Sequence, residues 1–297
     1  MKEIGYEKVD SSHSRFNSPA GTVEPGEVFY VNTELNTGKW LKGLNDVFSN
    51  DKVEGPNLSV CIKVAGAKPG DALAVKILEV VPENMGYTGF DGNYGLQGLI
   101  KYRPWGLATK TVSITDGHIN WSSKLKIPTA PMVGVLGTAP AGEEFRNTWG
   151  GVHGGNIDVQ EICAGATVYL PVFVEGALLH IGDVHAIQAD GEICYNGGIE
   201  CRAKVKLQID IIKQPPKRSC IRLENEEFIM AICCTRSLEE AFYTSAGEIL
   251  DWMVEGYGFS IEEAYLLMGQ VLQARATQFV NPTRSYICKF PKKYLIP

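Results

Sequence analysis

The segment Val152–Glu200 concentrates side chains that can do chemistry. Three of the five histidines in the 297-residue chain lie in it: His153, His180 and His185. Glycine pairs separate them from amide and carboxylate groups, which are Asn156, Asp158, Glu161, Asp183, Asp190, Glu192 and Glu200. Imidazole nitrogens and carboxylate oxygens are common ligands of divalent metals. The segment therefore predicts a divalent-metal hydrolytic site.

Within this segment, Asp183 and His185 are two residues apart in a stretch with strand character. Residues two apart on a strand point to the same face, so the carboxylate and the imidazole would converge on one metal ion such as zinc. Asp190 and Glu192 follow on either side of a turn, and Glu200 ends the next short segment. The alternative for an isolated Asp-x-His pair is a buried histidine that the aspartate orients. The density of the whole segment favours the metal.

The other histidines have weaker signals. His180 lies in the apolar run Leu-Leu-His-Ile-Gly, which predicts a packed histidine with one hydrogen bond. His153 precedes a glycine pair, which permits close backbone approach to a ligand, so it is a candidate to orient a substrate or to contact a partner subunit. His13 and His118 lie in polar, loop-like sequence, and we expect both at the surface.

A cysteine nucleophile is the chemical alternative to metal-activated water. Eight cysteines occur without a Cys-x-x-Cys pair, so we expect free thiols rather than a disulfide framework. Cys163, Cys194 and Cys201 lie in the dense segment, but Cys163 and Cys194 have apolar neighbours, which raise a thiol pKa. The sequence contains no Gly-x-Ser-x-Gly, Walker A or dinucleotide-binding motif. The metal hypothesis therefore ranks first.

Charge and hydropathy exclude several classes of protein. The formal net charge is -6 and the sequence pI is about 5.5, which argues against nucleic-acid binding because neutralising phosphates requires a basic surface. The longest apolar runs contain Pro, Glu and Gly and are too short to cross a bilayer. The first residues form no apolar segment of the kind found in secretory signals. We therefore expect a cytoplasmic protein without a membrane span.

Alternation of apolar and polar residues marks the strands, as in half-buried antiparallel sheets. Ala203–Ile212 alternates throughout. Ala72–Val81 has one face formed by Leu73, Val75, Ile77 and Glu79. Shorter strand signals occur at Glu27–Thr33, Thr111–Thr115, Thr167–Val174, Phe228–Cys234 and Ser285–Phe290.

The pattern changes near Ser237, where two Ser-x-x-Glu capping boxes begin at Ser237 and Ser260. Apolar residues follow each box at helical spacing, and on the second helix Ala264, Tyr265 and Met268 belong to the apolar stripe. We predict a β-rich α+β fold of sandwich- or barrel-like antiparallel sheets with a C-terminal helical hairpin at about 237–276. The whole chain, 1–297, is expected to form one unit without a firm internal boundary.

Several segments form a specific combination. They are His153–Asp158 (HGGNID), Gly165–Leu178, Gly182–Cys194, Gly198–Glu200, Ala65–Ile77, Lys126–Glu144 and Asn281–Leu295. In this combination, which covers nearly the whole chain, the sequence resembles the shorter bacterial branch of the acetamidase/formamidase family. The resemblance implies hydrolysis of a small aliphatic amide, such as formamide or acetamide, to ammonia and a carboxylate. It also implies a divalent metal and assembly as a homodimer or a higher homo-oligomer.

The resemblance implies roles for individual residues as well. The metal ligands would be Asp183, His185 and Glu200, with zinc as the expected metal. Asn156 and Asp158 would be neighbouring ligands or outer-sphere groups, at a second ion such as calcium. Glu192 is the candidate general base, and His153 is the second candidate catalytic residue.

One segment departs from the family pattern. The N-terminal strand commonly carries Phe-Glu-Thr-x-Asp, whereas this chain has Val-Asn-Thr-Glu-Leu at Val31–Leu35. That acidic pair is a candidate to bind a second ion. The departure motivates an alternative hypothesis, a non-catalytic metal- or metabolite-binding homologue on the same scaffold.

Overall fold

The computed structural model of the protein describes residues 1–90, 106, 108–194 and 196–296. Its strands are β1 (Lys2–Ile4), β2 (Ser12–His13), β3 (Gly21–Val23), β4 (Val28–Thr33), β5 (Ser59–Val64), β6 (Ala72–Phe90), β7 (Ala108–Thr115), β8 (His118–Asn120), β9 (Lys126–Pro128), β10 (Met132–Thr138), β11 (Phe145–Arg146), β12 (Gly150–Gly151), β13 (Gly154–Gly155), β14 (Thr167–Pro171), β15 (Leu179–His185), β16 (Asn196–Ile212), β17 (Ile221–Glu224), β18 (Phe228–Thr235), β19 (Gln273–Gln278) and β20 (Arg284–Pro291). The helices are α1 (Leu238–Tyr257) and α2 (Ile261–Val271), with short 3-10 turns at Asn50–Lys52 and Lys292–Tyr294.

Most strands join one large open sheet. Within the described residues it has 16 strands, with the main order β19-β20-β18-β17-β14-β6-β16-β15-β5-β3 and side branches through β4, β7 and β10. The pairs are antiparallel except β1 with β4 and β3 with β5. Strands β2 with β11 and β12 with β13 form two small separate ribbons. The predicted β-rich α+β fold with antiparallel sheets and a helical hairpin is confirmed.

The two longest strands, β6 and β16, lie side by side in the sheet and pair along most of their length. The alternation predicted for Ala203–Ile212 is confirmed, and Leu73, Val75 and Ile77 are buried as expected. The prediction for Glu79 is wrong, because Glu79 is exposed. The ladder shifts between Lys206 and Leu207, so Leu78 is an extra residue on β6. A bulge of this kind moves the following side chains to the other face.

Strand β18 has both faces buried, which explains its nearly continuous apolar sequence. Ile229, Ala231 and Cys233 belong to the smaller core beneath the helices, whereas Met230 and Ile232 belong to the main core of the sheet. Helix α1 packs on β18 and on its neighbour β20. The helical hairpin therefore packs on one face of β18, and the opposite face of β18 belongs to the main core.

The helix boundaries follow their capping residues. The Oγ atoms of Ser237 and Ser260 each accept a hydrogen bond from the amide three residues on, at 3.2 Å. Helix α2 ends at Val271, earlier than the predicted limit near 276, because β19 starts at Gln273. Tyr265, which was predicted on the apolar stripe, is 69% exposed. Neither helix in the described part of the chain is long and apolar enough to cross a bilayer.

Candidate active site

Strands β15 and β16 bring the central side chains of the site together. Their antiparallel ladder places His185 directly opposite Glu200, and side chains in that relation lie close enough to interact. His185 Nε2 is 3.2 Å from Glu200 Oε2 and 3.6 Å from Asp183 Oδ1. Two ligand atoms on a tetrahedral zinc, each about 2.0–2.2 Å from the metal, are about 3.4 Å apart. The three predicted ligands therefore have the spacing of a metal-binding group.

Two more carboxylates adjoin this group. Asp158, His185 and Glu192 each offer a ligand atom, and these three atoms lie within 4.8 Å of one another. The ligand atoms of Asp183, His185 and Glu200 meet the same limit. We call the five buried residues the carboxylate cluster; they are Asp158, Asp183, His185, Glu192 and Glu200. His185 is shared by both groups and is the only basic side chain among the five.

The carboxylate cluster contains buried polar atoms that lack a hydrogen bond within the described structure. These atoms are Asp158 Oδ1, His185 Nε2, Glu192 Oε2 and Glu200 Oε2. His185 Nε2 and Glu200 Oε2 are close, but they are not aligned for a hydrogen bond. Buried polar atoms without partners are rare in proteins, and an ion is one recognised reason for them.

Burial and mutual repulsion hold protons on these carboxyl groups. Burial, with the nearby Asp183 carboxylate, raises the pKa of Asp158 to about 7 and that of Glu200 to about 8. Burial and the Asp158 carboxylate raise the pKa of Glu192 well above its ordinary value. Burial alone would lower the pKa of His185, but the carboxylates of Glu200 and Asp183 raise it well above 6.5. Four carboxyl groups facing one imidazole leave a deficit of positive charge that a divalent cation can supply.

Gln188 determines which nitrogen of His185 faces the carboxylates. The Gln188 amide nitrogen donates to the backbone oxygens of Asp158 (3.0 Å) and Thr277 (3.3 Å). The amide oxygen is therefore the end that contacts His185 Nδ1, at 2.8 Å. An amide oxygen only accepts hydrogen bonds, so Nδ1 carries a proton. In the neutral ring the lone pair then lies on Nε2, where it is repelled by Asp183 and Glu200 unless a proton or a metal cation lies between them.

The backbone at the carboxylate cluster is strained. The φ angles are +49° at Asp158, +52° at Asp183 and +43° at Glu192. A residue with a side chain in this left-handed region costs about 1–3 kcal/mol, and such residues concentrate at functional sites. Packing is equally tight at Gly134, where an added Cβ would lie 2.6 Å from Asp158 Oδ1 and 2.7 Å from the Asp183 backbone oxygen.

A cavity of about 410 Å³ opens onto the carboxylate cluster, with Asp183, Glu192 and Glu200 in its wall. Much of the remaining wall is formed by amide and hydroxyl side chains, namely Asn36, Thr37, Asn50, Asn57, Thr148, Asn156, Asn196 and Asn281. The predicted metal-site residue Asn156 is among them, and its buried Oδ1 has no hydrogen-bond partner in the described structure. The cavity therefore gives a small polar molecule access to the carboxylates.

The structure groups His153 with two other histidines rather than with the carboxylate cluster. The ring of His13 lies 5.2 Å from that of His153 and 4.5 Å from that of His180, between ring centroids. His153 also stacks on Phe145 at 4.9 Å. We call His13, His153 and His180 the histidine cluster. His153 does not line the cavity described above.

Two expectations about the histidine cluster have clear outcomes. His180 is packed and buried as predicted, and its ring contacts both Ser59 Oγ (2.9 Å) and Asn17 Nδ2 (3.3 Å). The surface prediction for His13 is wrong, because His13 is fully buried. Its polar flanks suggested a loop, but β2 pairs with β11 and places Phe145 opposite His13. His118 is exposed, as expected.

Two acidic residues of the dense segment lie outside the carboxylate cluster. The Asp190 side chain is 65% exposed and forms an ion pair with Arg275 at 2.7 Å. Glu161 pairs with Arg275 at 2.8 Å and with Lys289 at 2.9 Å. Both carboxylates are therefore neutralised by cations of the chain itself.

The segment that departs from the family pattern is part of the scaffold. Glu34 is buried and forms an ion pair with Arg202. Leu35 packs in a small apolar cluster with Phe48 and Tyr87. Asn36, the next residue, lines the cavity. Neither Glu34 nor Leu35 faces the carboxylate cluster as a ligand.

The three cysteines of the dense segment do not offer an activated nucleophile. All eight are free thiols. Burial raises the pKa of Cys163, Cys194 and Cys201, which disfavours the thiolate. None of these three lines the cavity.

Sequence reasoning did not identify four residues around the site: Asn36, Gln188, Asn196 and Asn281. Asn281 Nδ2 donates to Asp158 Oδ2 at 2.5 Å, across 123 residues of chain. Of these four, only Gln188 could have been suspected from the sequence, because it lies three residues after His185. The others reach the site through turns and strand register that local sequence does not specify.

Comparison with known proteins agrees with this architecture. The model of the Acetamidase/Formamidase family matches residues 5–151 and 141–291. The acetamidase of Mycolicibacterium smegmatis is 28% identical, with 65% of this chain and 63% of the relative covered. The formamidase of Methylophilus methylotrophus is 25% identical, with 73% and 68% covered. The chain thus spans about two-thirds of the length of these curated relatives.

Solved structures match over nearly the full length. The acetamidase of Bacillus halodurans superposes with a TM-score of 0.89 at 28% identity, covering 98% of both chains. A predicted acetamidase/formamidase of Thermoanaerobacter tengcongensis superposes with a TM-score of 0.90 at 30% identity, covering 99% of this chain and 96% of the other. Since the family model spans almost all of the sequence and the whole fold is shared with these structures, the chain belongs to the acetamidase/formamidase family.

Proposed function

We propose that this protein hydrolyses a small aliphatic amide to ammonia and a carboxylate with the help of a divalent cation. One observation carries the proposal: four buried carboxyl groups surround a single imidazole at the wall of a polar cavity, with ligand atoms left without partners. The names of the relatives, acetamidase and formamidase, indicate the class of substrate. Formamide and acetamide are the first substrates to test.

The residues present fit a metal ion. Asp183, His185 and Glu200 would hold zinc, which binds both imidazole nitrogen and carboxylate oxygen. Asp158 and Asn156 offer oxygen atoms alone, and oxygen is the ligand that calcium prefers. Because one ring nitrogen of His185 is engaged by Gln188, the imidazole can serve only one ion. A second ion would therefore depend on the oxygen ligands.

When bound, a divalent cation would polarise the amide carbonyl and make a water molecule a stronger nucleophile. With the cation bound, the repulsion among the carboxylates would be offset and Glu192 would be ionised. Its carboxylate, which adjoins Asp158, would then take a proton from the attacking water and return it to the amide nitrogen. The C–N bond then breaks, the nitrogen leaves as ammonia, and the acyl group leaves as the acid, which releases its proton to become the carboxylate. Gln188 keeps the His185 ring oriented throughout. His153, packed in the histidine cluster, has no part in this scheme.

The experiment that tests this function measures bound metal and ammonia release on the same preparation. We expect about one or two equivalents of zinc or calcium per chain by elemental analysis, and ammonia release from formamide or acetamide that stops on chelation. Tightly bound metal without turnover on a series of short amides would instead favour a non-catalytic metal-binding homologue. Turnover unaffected by complete metal removal would contradict the metal role.

We further propose a homodimer or a higher homo-oligomer in the cytoplasm. Four large apolar side chains on the two helices are 60–69% exposed, namely Tyr243, Ile261, Tyr265 and Leu266. Large apolar side chains that are exposed in one chain are candidates for subunit contacts. The eight free thiols suit a reducing compartment. Analytical ultracentrifugation of the wild type and of Leu266→Glu tests the assembly, because the variant should shift to the smaller species.

A further inference from the structure

We infer that Asn36 donates a hydrogen bond to the carbonyl oxygen of the amide substrate, that Asn196 is a second donor, and that Tyr87 positions Asn36. The inference rests on the proposed amide hydrolysis. It concerns residues outside the carboxylate cluster and assigns them the recognition of the primary carboxamide group.

The hydrogen-bond donors around Asn36 determine which end of its amide, the oxygen or the nitrogen, faces Thr37 and Tyr87. Trp40 Nε1 donates to Thr37 Oγ1 (2.9 Å), and the Thr37 and Tyr87 hydroxyls are 3.0 Å apart. Both hydroxyls also contact Asn36 Oδ1, at 3.2 Å and 2.9 Å. Only one of the two hydroxyl hydrogens can lie between the hydroxyls, so the other needs a further acceptor, and only the oxygen end of the Asn36 amide provides one. The Nδ2 group therefore points away from this network.

That Nδ2 group is left without a hydrogen-bond partner in a residue that lines the cavity. Asn36 is 4% exposed and lines the cavity, and its Nδ2 donates to no residue in the described structure. The position is close to the carboxylate cluster, because Tyr87 lies directly opposite Glu200 in the β6–β16 ladder. The Asn36 backbone is fixed as well, since its oxygen accepts from the Leu58 amide at 2.9 Å. A fixed donor thus faces the space beside Glu200.

Asn196 supplies an independent observation of the same kind. It is 4% exposed, and its Nδ2 is buried without a hydrogen-bond partner in the described structure. Its side chain also lines the cavity. A buried amide hydrogen without a hydrogen bond destabilises the protein, so a ligand oxygen at this point would relieve that cost. Two amide side chains with unused donors therefore line a cavity that also contains the carboxyl groups of Asp183, Glu192 and Glu200.

This arrangement complements a primary carboxamide and fixes its direction. The carbonyl oxygen only accepts hydrogen bonds and suits Asn36 and Asn196, while the NH₂ group only donates and suits the Glu192 carboxylate. In that direction the nitrogen faces the proposed proton carrier, and the charge that develops on oxygen faces fixed donors. The carboxylate product has no N–H to offer Glu192, and its second oxygen is repelled. The same groups therefore bind the amide and favour release of the acid.

The test compares Asn36→Asp and Asn36→Leu with Tyr87→Phe in the metal-loaded protein. Aspartate keeps the acceptor for Tyr87 and Thr37 but loses the donor, and leucine removes both without adding charge. We expect each Asn36 variant to lose about 100- to 1,000-fold in kcat with a smaller change in KM, since the donor acts on developing charge. Tyr87→Phe should lose about tenfold, because the donor stays but is no longer held. Asn225→Asp, in a turn remote from the cavity, is the control.

Metal content and thermal unfolding are measured on each variant. Losses of kcat with metal content and unfolding temperature unchanged support the inference. Turnover within twofold of wild type in Asn36→Leu overturns the inference. A fall in kcat that is fully explained by lower metal content overturns it as well. If the wild type hydrolyses no amide, the proposed function fails on its own. Equilibrium binding of acetamide then decides the inference: Asn36→Leu should bind about tenfold more weakly, and equal binding overturns it.

Discussion

The carboxylate cluster and two members of the histidine cluster, His153 and His180, come from the same stretch of sequence. Both clusters are buried, yet their electrostatics are opposite. In the carboxylate cluster, carboxylates keep the pKa of His185 well above its usual value. In the histidine cluster, burial lowers the pKa of His153 to about 4 and that of His180 to about 3. One imidazole faces surplus negative charge beside a cavity; the others are neutral and packed. The difference shows that the partners of a histidine, more than its place in a motif, decide its role.

The largest expected contrast comes from removing one histidine in each cluster. His185→Ala should lose tightly bound metal and reduce kcat/KM by more than the roughly 100-fold that loss of an outer-sphere partner costs. Asp183→Ala should behave in the same way. His180→Ala should retain metal and lower the unfolding temperature, because it removes a packed ring and its hydrogen bonds. Elemental analysis, ammonia release and thermal unfolding measure the three effects, and equal metal retention by all variants would remove the distinction between the clusters.

A second comparison tests how tightly the backbone packs around the carboxylate cluster, and it leaves the proposed metal ligands unchanged. Gly134→Ala forces a methyl group against Asp158 Oδ1 and the Asp183 backbone oxygen. A displacement of about 1 Å at catalytic groups costs about 100-fold in rate, so we expect a loss of that size. Gly142→Ala is the matched control, since no described atom lies within 4 Å of its added Cβ. Equal steady-state rates of the Gly134→Ala and Gly142→Ala variants would contradict this account.

The role of Gln188 gives a smaller effect. Gln188→Leu removes the acceptor for His185 Nδ1, and we expect metal affinity to fall about 10- to 100-fold. Gln188→Glu keeps an acceptor and should recover much of that loss. Gln208→Leu, which removes a glutamine bonded to the backbone of Gly26 on the same sheet, is the control. Competition titration with a chromophoric chelator measures the affinities; unchanged affinity in Gln188→Leu would show that His185 is oriented by other contacts.

The last prediction concerns acid, which should have the smallest effect on activity but should lower the stability of the fold. Because the folded-state pKa of His153 is about 4 and its unfolded value is about 6.5, the unfolded chain binds the proton first as the pH falls. The free energy of unfolding should therefore decrease from about pH 6.5 downward, by about 3 kcal/mol near pH 4 for this residue. Urea unfolding of the wild type and of His153→Gln at pH 7 and pH 4.5 tests this. A variant with the same pH dependence as the wild type would count against it.

The sequence predicts the centre of the carboxylate cluster because that centre depends on short-range geometry. Asp183 and His185 are two residues apart on one strand, and Glu200 lies one strand further along the chain. Their proximity therefore needs only a hairpin-like pairing of β15 with β16. The fold class is predictable for a similar reason, since alternation and capping boxes are local patterns.

The rest of the site depends on contacts that local sequence does not encode. Asn36 reaches the cavity through a turn after β4 and is oriented by Tyr87, 51 residues away. Tyr87 itself lies beyond the end of the predicted strand, in a register that follows two irregularities in the β6–β16 ladder. The burial of His13 likewise depends on pairing with a strand more than 100 residues distant.

The left-handed backbone at Asp158, Asp183 and Glu192 has a consequence for engineering. Glycine adopts this conformation without the steric cost that a side chain carries. Selection for heat resistance alone should therefore accumulate glycine or asparagine at these three positions while activity declines, which is the usual conflict between stability and function. Transplanting the five side chains onto another scaffold would fail for the same reason, unless the new backbone reproduced the three unusual φ angles. The site is a property of the main chain as much as of its carboxylates.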